Sequence, residues 1–486
     1  MSPRNRFPMI KGSCVLQVSH MRKLPVYILF TFLGISNVLA QKKDLPNIVL
    51  IVADDLGYGD LHTYGNESVK TPNIDRLANE GIRFTDFHAN APMCSPTRAA
   101  LLTGRYQQRT GVEEVGGVIK ESEVLISQRL RDDAGYRTGI FGKWHISGHL
   151  MPAAFYAKKN PVRFGFDEFV GFMSGFVDYH SHLDDAGRLD WWHNDSLVHE
   201  NGSTTQLITE HATDFIKANL THPFFLYVPY QSIHFPWMTQ EDSAYFEPGI
   251  KYTTAGDPAN SRLGPYDGSD RLQHIVNKMI EELDSGVGKI VRTLEQYKIE
   301  DNTLVFFVSD NGGYVHFRGL NNGRISRNFP FRGHKTELYE GGHRVPSIAW
   351  WPGRIASGIV SDQLVMTHDL FPTFLEVAGL KPAPAESANR LDGVSLSRLL
   401  FENKPIPKRK VFWAFEDQRS VRDRNWKLLV TKDKRTELYN LKRNPEETRE
   451  VAAENRAIVR RLEKALRRWE DDVFQGRNLD TRQRLH

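Results

Sequence analysis

Two rhythms of apolar residues alternate along this chain. The first is continuous: Asn47-Ile48-Val49-Leu50-Ile51-Val52-Ala53 has strand length and no polar break after its first residue, as a strand buried on both faces requires. Similar runs predict strands over Tyr136–Phe141, Phe224–Pro229, Thr303–Ser309 and Val345–Trp351. The second rhythm spaces apolar residues three and four apart, predicting helices over Glu123–Asp133, Gln206–Asn219 and Asp270–Tyr297. A shorter helix is expected from Thr71-Pro72, where a capping residue precedes proline, to just before Gly81. Strands that alternate with helices predict an α/β domain over residues 44–400, a mostly parallel sheet flanked by helices.

Beyond about residue 380 the pattern changes. Lys381-Pro382-Ala383-Pro384 and Lys404-Pro405-Ile406-Pro407 read as loops, and short strands are expected over Val411–Phe415, Trp426–Thr431 and Glu437–Leu441. A charged helix over about Glu454–Asp472 completes a small C-terminal α+β subdomain, residues 401–486, of antiparallel strands and one helix. The basic run Lys408-Arg409-Lys410 reads as a solvated linker. At the other end, Met21-Arg22-Lys23 is a basic start, Val26 to Val38 is mainly apolar, and Val38-Leu39-Ala40 puts small residues before Gln41. Residues 1–40 are therefore expected to be a presequence with a signal peptide cleaved near Ala40/Gln41, starting at Met1 or Met21. The apolar stretch is short for a bilayer, so export to the periplasm or the medium is expected, with no stable membrane span.

Removing that presequence alters two properties. It carries Arg4, Arg6, Lys11, Arg22 and Lys23 and no acid, so the formal charge of +4 falls by five to −1. A near-neutral chain exerts little pull on polyanions, which argues against a nucleic-acid partner. The same cut takes away Cys14 and leaves Cys94 as a lone thiol with no partner for an internal disulfide. An unpaired cysteine in an exported protein calls for a chemical reason.

Two strand ends carry candidate chemistry. Asp54-Asp55 follows the first strand, and Ser309-Asp310-Asn311-Gly312-Gly313 closes the strand expected over Thr303–Ser309. Parallel sheets gather ligands at the carboxyl ends of their strands. Adjacent carboxylates repel, although a single Asp pair before glycine is also an ordinary turn. Two such ends supply four oxygen-bearing side chains without a histidine, a set suited to a hard cation, Ca²⁺ or Mg²⁺, rather than zinc.

Between these pairs lies Cys94-Ser95-Pro96-Thr97-Arg98, continuing into Ala99-Ala100-Leu101-Leu102-Thr103-Gly104-Arg105. This run resembles the signature of the type I formylglycine-dependent sulfatases of the alkaline phosphatase superfamily. Asp54-Asp55-Leu56-Gly57-Tyr58-Gly59-Asp60 resembles that family's first metal motif and Asp310-Asn311-Gly312-Gly313 its second. Gly142-Lys143-Trp144-His145 resembles its Gly-Lys-Trp-His block, and Lys335 matches the lysine ahead of its Glu-Gly-Gly run. His234, in Ser232-Ile233-His234-Phe235-Pro236, matches the histidine of a His-x-Pro block, with Ser232 where many members have proline. The blocks keep family order across roughly residues 46–400.

The resemblance implies an alkaline-phosphatase-like fold and hydrolysis of sulfate esters, with a sulfated carbohydrate as the expected substrate. It implies that a formylglycine-generating or sulfatase-maturing enzyme converts Cys94 to 3-oxoalanine (formylglycine). Asp54, Asp55, Asp310 and Asn311 would hold one cation with residue 94, by resemblance Ca²⁺, with Mg²⁺ as second choice. Arg98 would brace the hydrated aldehyde, His145 would act as base, Lys143 and Lys335 would bind sulfate oxygens, and His234 would protonate the leaving oxygen. A phosphodiesterase or phosphonate hydrolase on the same fold, and a non-catalytic sugar-binding protein, stand as alternatives. Outside the family blocks, Asp178-Tyr179-His180-Ser181-His182 and Asp190-Trp191-Trp192-His193 are candidates for sugar contact, against a core role for the tryptophans. Arg324, Arg327 and Arg332 are candidates for meeting further anionic groups, against an exposed basic loop.

Overall fold

The computed structural model describes residues 45–251, 270–317, 320–321, 325–384 and 387–474. The expected signal peptide, Cys14 and Arg324 lie outside them. In chain order the main sheet contains β1 (Asn47–Ala53), β2 (Ile82–Phe84), β3 (Arg137–Lys143), β4 (Glu168–Phe172), β5 (Trp192–His193), β6 (Ser196–Leu197), β7 (Phe224–Pro229), β8 (Thr303–Ser309), β9 (Ser347–Trp350) and β10 (Ile359–Ser361). Their order across the sheet is β10-β2-β9-β8-β1-β7-β3-β4-β5-β6. The middle five, β8 to β4, run parallel, while β9, β5 and β6 pair antiparallel.

Alternation along β1 shows how the layers form. Val49, Ile51 and Ala53 enter one core and Ile48, Leu50 and Val52 the other, as side chains of period two must. The helices of eight or more residues around the main sheet are α1 (Pro72–Glu80), α2 (Cys94–Thr103), α3 (Ile126–Ala134), α4 (Thr204–Ala218), α5 (Asp270–Gln296) and α6 (Leu370–Val377). Side chains of α1, α4 and α5 fill the first core, and those of α2, α3 and α6 the second. This is the mostly parallel, helix-flanked sheet that the sequence predicts. Among the described residues no helix is long and apolar enough to cross a membrane.

Two differences from expectation have physical causes. Helix α2 has no apolar stripe because all ten of its residues are buried, so helical periodicity does not mark it. Helix α3 starts at Ile126 rather than Glu123, whose carboxylate instead pairs with Arg105 at 2.7 Å.

The C-terminal strands β11 (Lys410–Phe415), β12 (Gln418–Asp423), β13 (Trp426–Val430) and β14 (Thr436–Asn440) form an antiparallel sheet in sequence order. Helix α7 (Arg456–Val473) lays Leu462, Leu466 and Trp469 against Val421, Leu428 and Leu438. Strand β12 escapes a hydrophobic reading because its charges are buried: Arg422 pairs with both oxygens of Asp86 (2.7 Å each), and Arg419 with Glu470 (2.9 Å).

Candidate active site

Parallel register sets the first contact. Ala53 pairs with Ser309 across β1 and β8, and the Asp310 amide donates to the Ala53 carbonyl at 3.1 Å, so Asp54 and Asp310 leave the sheet side by side. Helix α2 begins at Cys94, with extended Met93 as its cap and Pro96 in the first turn, where a missing N–H costs no hydrogen bond. The helix ends at Gly104, whose φ of 68° favours glycine and whose Cβ would come 2.7 Å from Phe371. The first residue of α2 thereby meets the strand ends. Cys94 Sγ, one oxygen of Asp54 and one of Asp310 lie within 4.8 Å of one another, as do single ligand atoms of Asp54, Asp55 and His234.

Cations interleave with these acids. Arg98 Nε donates to Asp310 Oδ2 (2.9 Å) and Nη1 to the Lys143 carbonyl (3.0 Å). Lys143, the last residue of β3, donates to Asp54 Oδ2 at 2.6 Å. Lys335 Nζ and Asn311 Nδ2 both donate to Asp55 Oδ1, at 2.6 and 2.8 Å. His145 Nδ1 lies 3.3 Å from Cys94 Sγ, and His234 Nε2 lies 3.8 Å from Asp55 Oδ2. All ten residues singled out by sequence meet in this cluster, and none is more than 5% exposed. Asp55 and His145 hold positive φ angles of 62° and 53°, an uncommon conformation for non-glycine residues that clusters at functional sites.

Burial dominates the electrostatics. Burial and the neighbouring charge of Asp310 push Asp54 up to about 7 against the pull of Lys143. Burial opposes the charge on Asp55 too, but Lys335 and His234 outweigh it and hold this carboxyl at about 2. Burial, reinforced by Lys143, holds His145 well below the ordinary imidazole value, so it is neutral. Burial likewise depresses His234, with Asp55 opposing, and raises the Cys94 thiol. For Lys335, Asp55 and its neighbours outweigh burial and keep the ammonium charged.

Two buried oxygens in this cluster accept no hydrogen bond, Asp54 Oδ1 and Asn311 Oδ1. Each such acceptor costs about 1–3 kcal/mol when left unmatched. Together with the other carboxylate oxygens they form an oxygen-lined cradle whose chemistry fits a hard divalent cation. A cation there would also reverse the upward pressure on Asp54.

One neighbouring group, His149, is marked by no motif. The His149 ring lies 6.2 Å from that of His145, and its Nε2 is 3.7 Å from Asp185 Oδ2. Gly175 permits this approach, since a Cβ there would sit 3.0 Å from His145 Nε2 and 3.4 Å from His149 Nδ1. The only hint in the sequence is the position of His149 four residues after His145.

Among the described residues, most of the peripheral candidates make contacts within the fold. Trp191 and Trp192 are both buried, and Asp190 accepts from the Met173 and Ser174 amides and from Trp192 Nε1. Asp178 accepts the amides of His180, Ser181, Tyr245 and Phe246, and His182 stacks on Trp191 with centroids 4.6 Å apart. Arg327 bonds to Asn66 at 2.8 Å, and Arg332 lies over the Tyr339 ring and donates to the Glu447 carbonyl.

The sulfatase family profile matches residues 46–380, and that of the N-sulphoglucosamine sulphohydrolase C-terminal region matches residues 333–472. The chain is 36% identical over 394 residues to N-acetylgalactosamine-6-sulfatase of Sus scrofa, covering 76% of this chain and 68% of that protein. It is 33% identical over 391 residues to an arylsulfatase of Hemicentrotus pulcherrimus, covering 76% of this chain and 65% of the relative. Among solved structures, Ps i-CgsB in complex with k-i-k-neocarrahexaose superposes with a TM-score of 0.74 at 28% identity, over 88% of this chain and 93% of that one. By motif, fold and similarity the chain belongs to the sulfatase family of the alkaline phosphatase superfamily and is a sulfuric ester hydrolase.

Proposed function

We propose that this sulfatase is exported, carries formylglycine at position 94, and removes sulfate from a sulfated carbohydrate with the help of one Ca²⁺ held by Asp54, Asp55, Asp310 and Asn311. The observation that carries the reading is the pair of donorless oxygens, Asp54 Oδ1 and Asn311 Oδ1, in the same buried cluster as Cys94. Charge supports it as well. Three carboxylates there face three permanent cations, Arg98, Lys143 and Lys335. A divalent cation would add two positive charges, which one ester sulfate and one deprotonated hydroxyl cancel.

With Asp54, Asp55, Asp310 and Asn311 holding it, a cation would make one hydroxyl of a hydrated aldehyde at residue 94 acidic enough to attack sulfur, and the second would be the one whose deprotonation lets sulfate leave. The surrounding residues do the rest. Arg98, fixed by Asp310 and the Lys143 carbonyl, braces residue 94. Lys143 and Lys335 bind sulfate oxygens and stabilise charge there. Neutral His145 is within reach of residue 94 and accepts its hydroxyl proton. His234 donates Nδ1–H to the Phe235 carbonyl at 2.7 Å, which turns Nε2 towards Asp55. Asp55 favours the imidazolium against burial, and only in that doubly protonated form, alongside the Lys335 ammonium, does Nε2–H deliver a proton to the leaving oxygen.

Cys94 is 2% exposed, so a maturing enzyme must reach it before the chain finishes folding. The basic and apolar pattern of residues 21–40 supports export. The carbohydrate reading draws on similarity to the porcine N-acetylgalactosamine-6-sulfatase and to Ps i-CgsB in its complex with k-i-k-neocarrahexaose. Assay of sulfate release from defined sulfated oligosaccharides, among them 6-sulfated N-acetylgalactosamine units and carrageenan fragments, tests it. Release should fall on chelation and return with Ca²⁺; a higher kcat/KM on matched phosphate esters would overturn the reading.

A further inference from the structure

The far edge of the main sheet holds a second set of metal-binding side chains. His193 on β5, Glu200 between β6 and α4, and His211 on α4 offer ligand atoms that all lie within 4.8 Å of one another. His193 Nε2 and His211 Nε2 each sit 2.9 Å from a different oxygen of Glu200, and the two rings meet edge to face with centroids 5.1 Å apart. We propose that His193, Glu200 and His211 bind a zinc-like transition-metal cation that ties the β5–β6 hairpin to α4. Two imidazoles and one carboxylate are a borderline-soft donor set, unlike the oxygen cradle of the active site.

The ligands are held in place from behind. Buried Trp191 donates Nε1–H to Glu200 Oε2 at 2.8 Å and orients the carboxylate, the role an outer partner plays at metal centres. The Phe141 ring stacks nearly parallel to that of His211, at 9° with centroids 6.2 Å apart, and His193 is fixed in the sheet by its pairing with Val170 and Ser196. The side chains of His193, Glu200 and His211 are 40%, 25% and 22% exposed, so an ion reaches them from solvent.

Charge points the same way. Among the described residues no lysine or arginine forms an ion pair with Glu200 or with nearby Glu168, and the groups that favour the charge of Glu168 are His211 and His193. The buried trio His88, Glu340 and His343 differs in this respect: Lys427 lies 2.9 Å from Glu340 and 3.1 Å from His343, so the protein's own cation fills that cluster. On binding, each imidazole presents its Nε2 lone pair and keeps a proton on Nδ1. Glu200 gives an oxygen, and water completes a tetrahedron.

The test titrates the full-length enzyme with Zn²⁺ in excess Ca²⁺, with Asp310→Ala in parallel to weaken the catalytic cradle. One zinc per chain should bind both proteins alike, while His193→Ala and His211→Ala should each lose at least about tenfold in affinity. Co²⁺ should give intense tetrahedral absorption bands in wild type and none in either histidine variant. Zinc affinities within about threefold of wild type in both histidine variants, or a wild-type cobalt spectrum without tetrahedral bands, overturn the proposal. If Asp310→Ala fails to fold, the wild-type cobalt spectrum alone decides.

Discussion

At position 94 a small thiol is buried beside Lys143 and Lys335, whose charges favour a thiolate but do not overcome burial. Burial raises its pKa above the ordinary thiol value, and His145 at 3.3 Å carries no charge that would stabilise a thiolate, so the site does not favour the thiolate form. The arrangement makes sense once sulfur is replaced by an aldehyde. Cys94→Ala should therefore abolish sulfate release while unfolding free energy changes by no more than about 1–2 kcal/mol, as denaturant titration would show. His145→Ala should keep the fold and lower kcat by about 10²- to 10⁴-fold, the usual worth of a positioned base, in steady-state assays. At this scale the sequence was highly legible, because Asp54, Asp55, Cys94, Lys143, Asp310 and Asn311 stand at strand and helix ends that motifs mark, and Arg98 lies one turn into α2 within the same motif. His149 and Asp185 were not, since the loop through Gly175 brings them in by tertiary packing alone.

At the scale of elements, the unbroken apolar runs announced β1, β7 and β8, each buried along its whole length. Helix α2 and strand β12 stayed hidden for opposite reasons, the one buried on every side, the other carrying buried arginines. Those charges make the C-terminal sheet depend on its ion pairs. Lys427 on β13 lies 2.9 Å from both Glu340 and Glu447, and all three are essentially unexposed. Lys427→Ala would leave buried Glu447 without its cation and Glu340 with only Arg344 and Arg422. It should cost about 3–5 kcal/mol in chemical denaturation. A variant as stable as wild type would show that this cluster adds nothing.

At the scale of the whole molecule, buried histidines set the acid limit. Burial holds His182 and His368 at about 4, below the ordinary 6.5, with the Gly202 carbonyl and Asp369 respectively resisting. Unfolding therefore takes up protons in acid. Their contribution is complete above pH 6.5 and is lost as pH falls through about 4, up to about 3 kcal/mol for each histidine. Thermal midpoints should decline between pH 6.5 and 4, less steeply in His368→Gln; equal slopes would remove His368 from the explanation. The fold, the buried cluster and the acid limit all surround one chemical claim, that residue 94 works as an aldehyde. Peptide mass spectrometry of fully active, natively exported enzyme measures this directly. The account predicts formylglycine at position 94, in a fraction that rises and falls with specific activity; an intact cysteine thiol throughout fully active protein would contradict it.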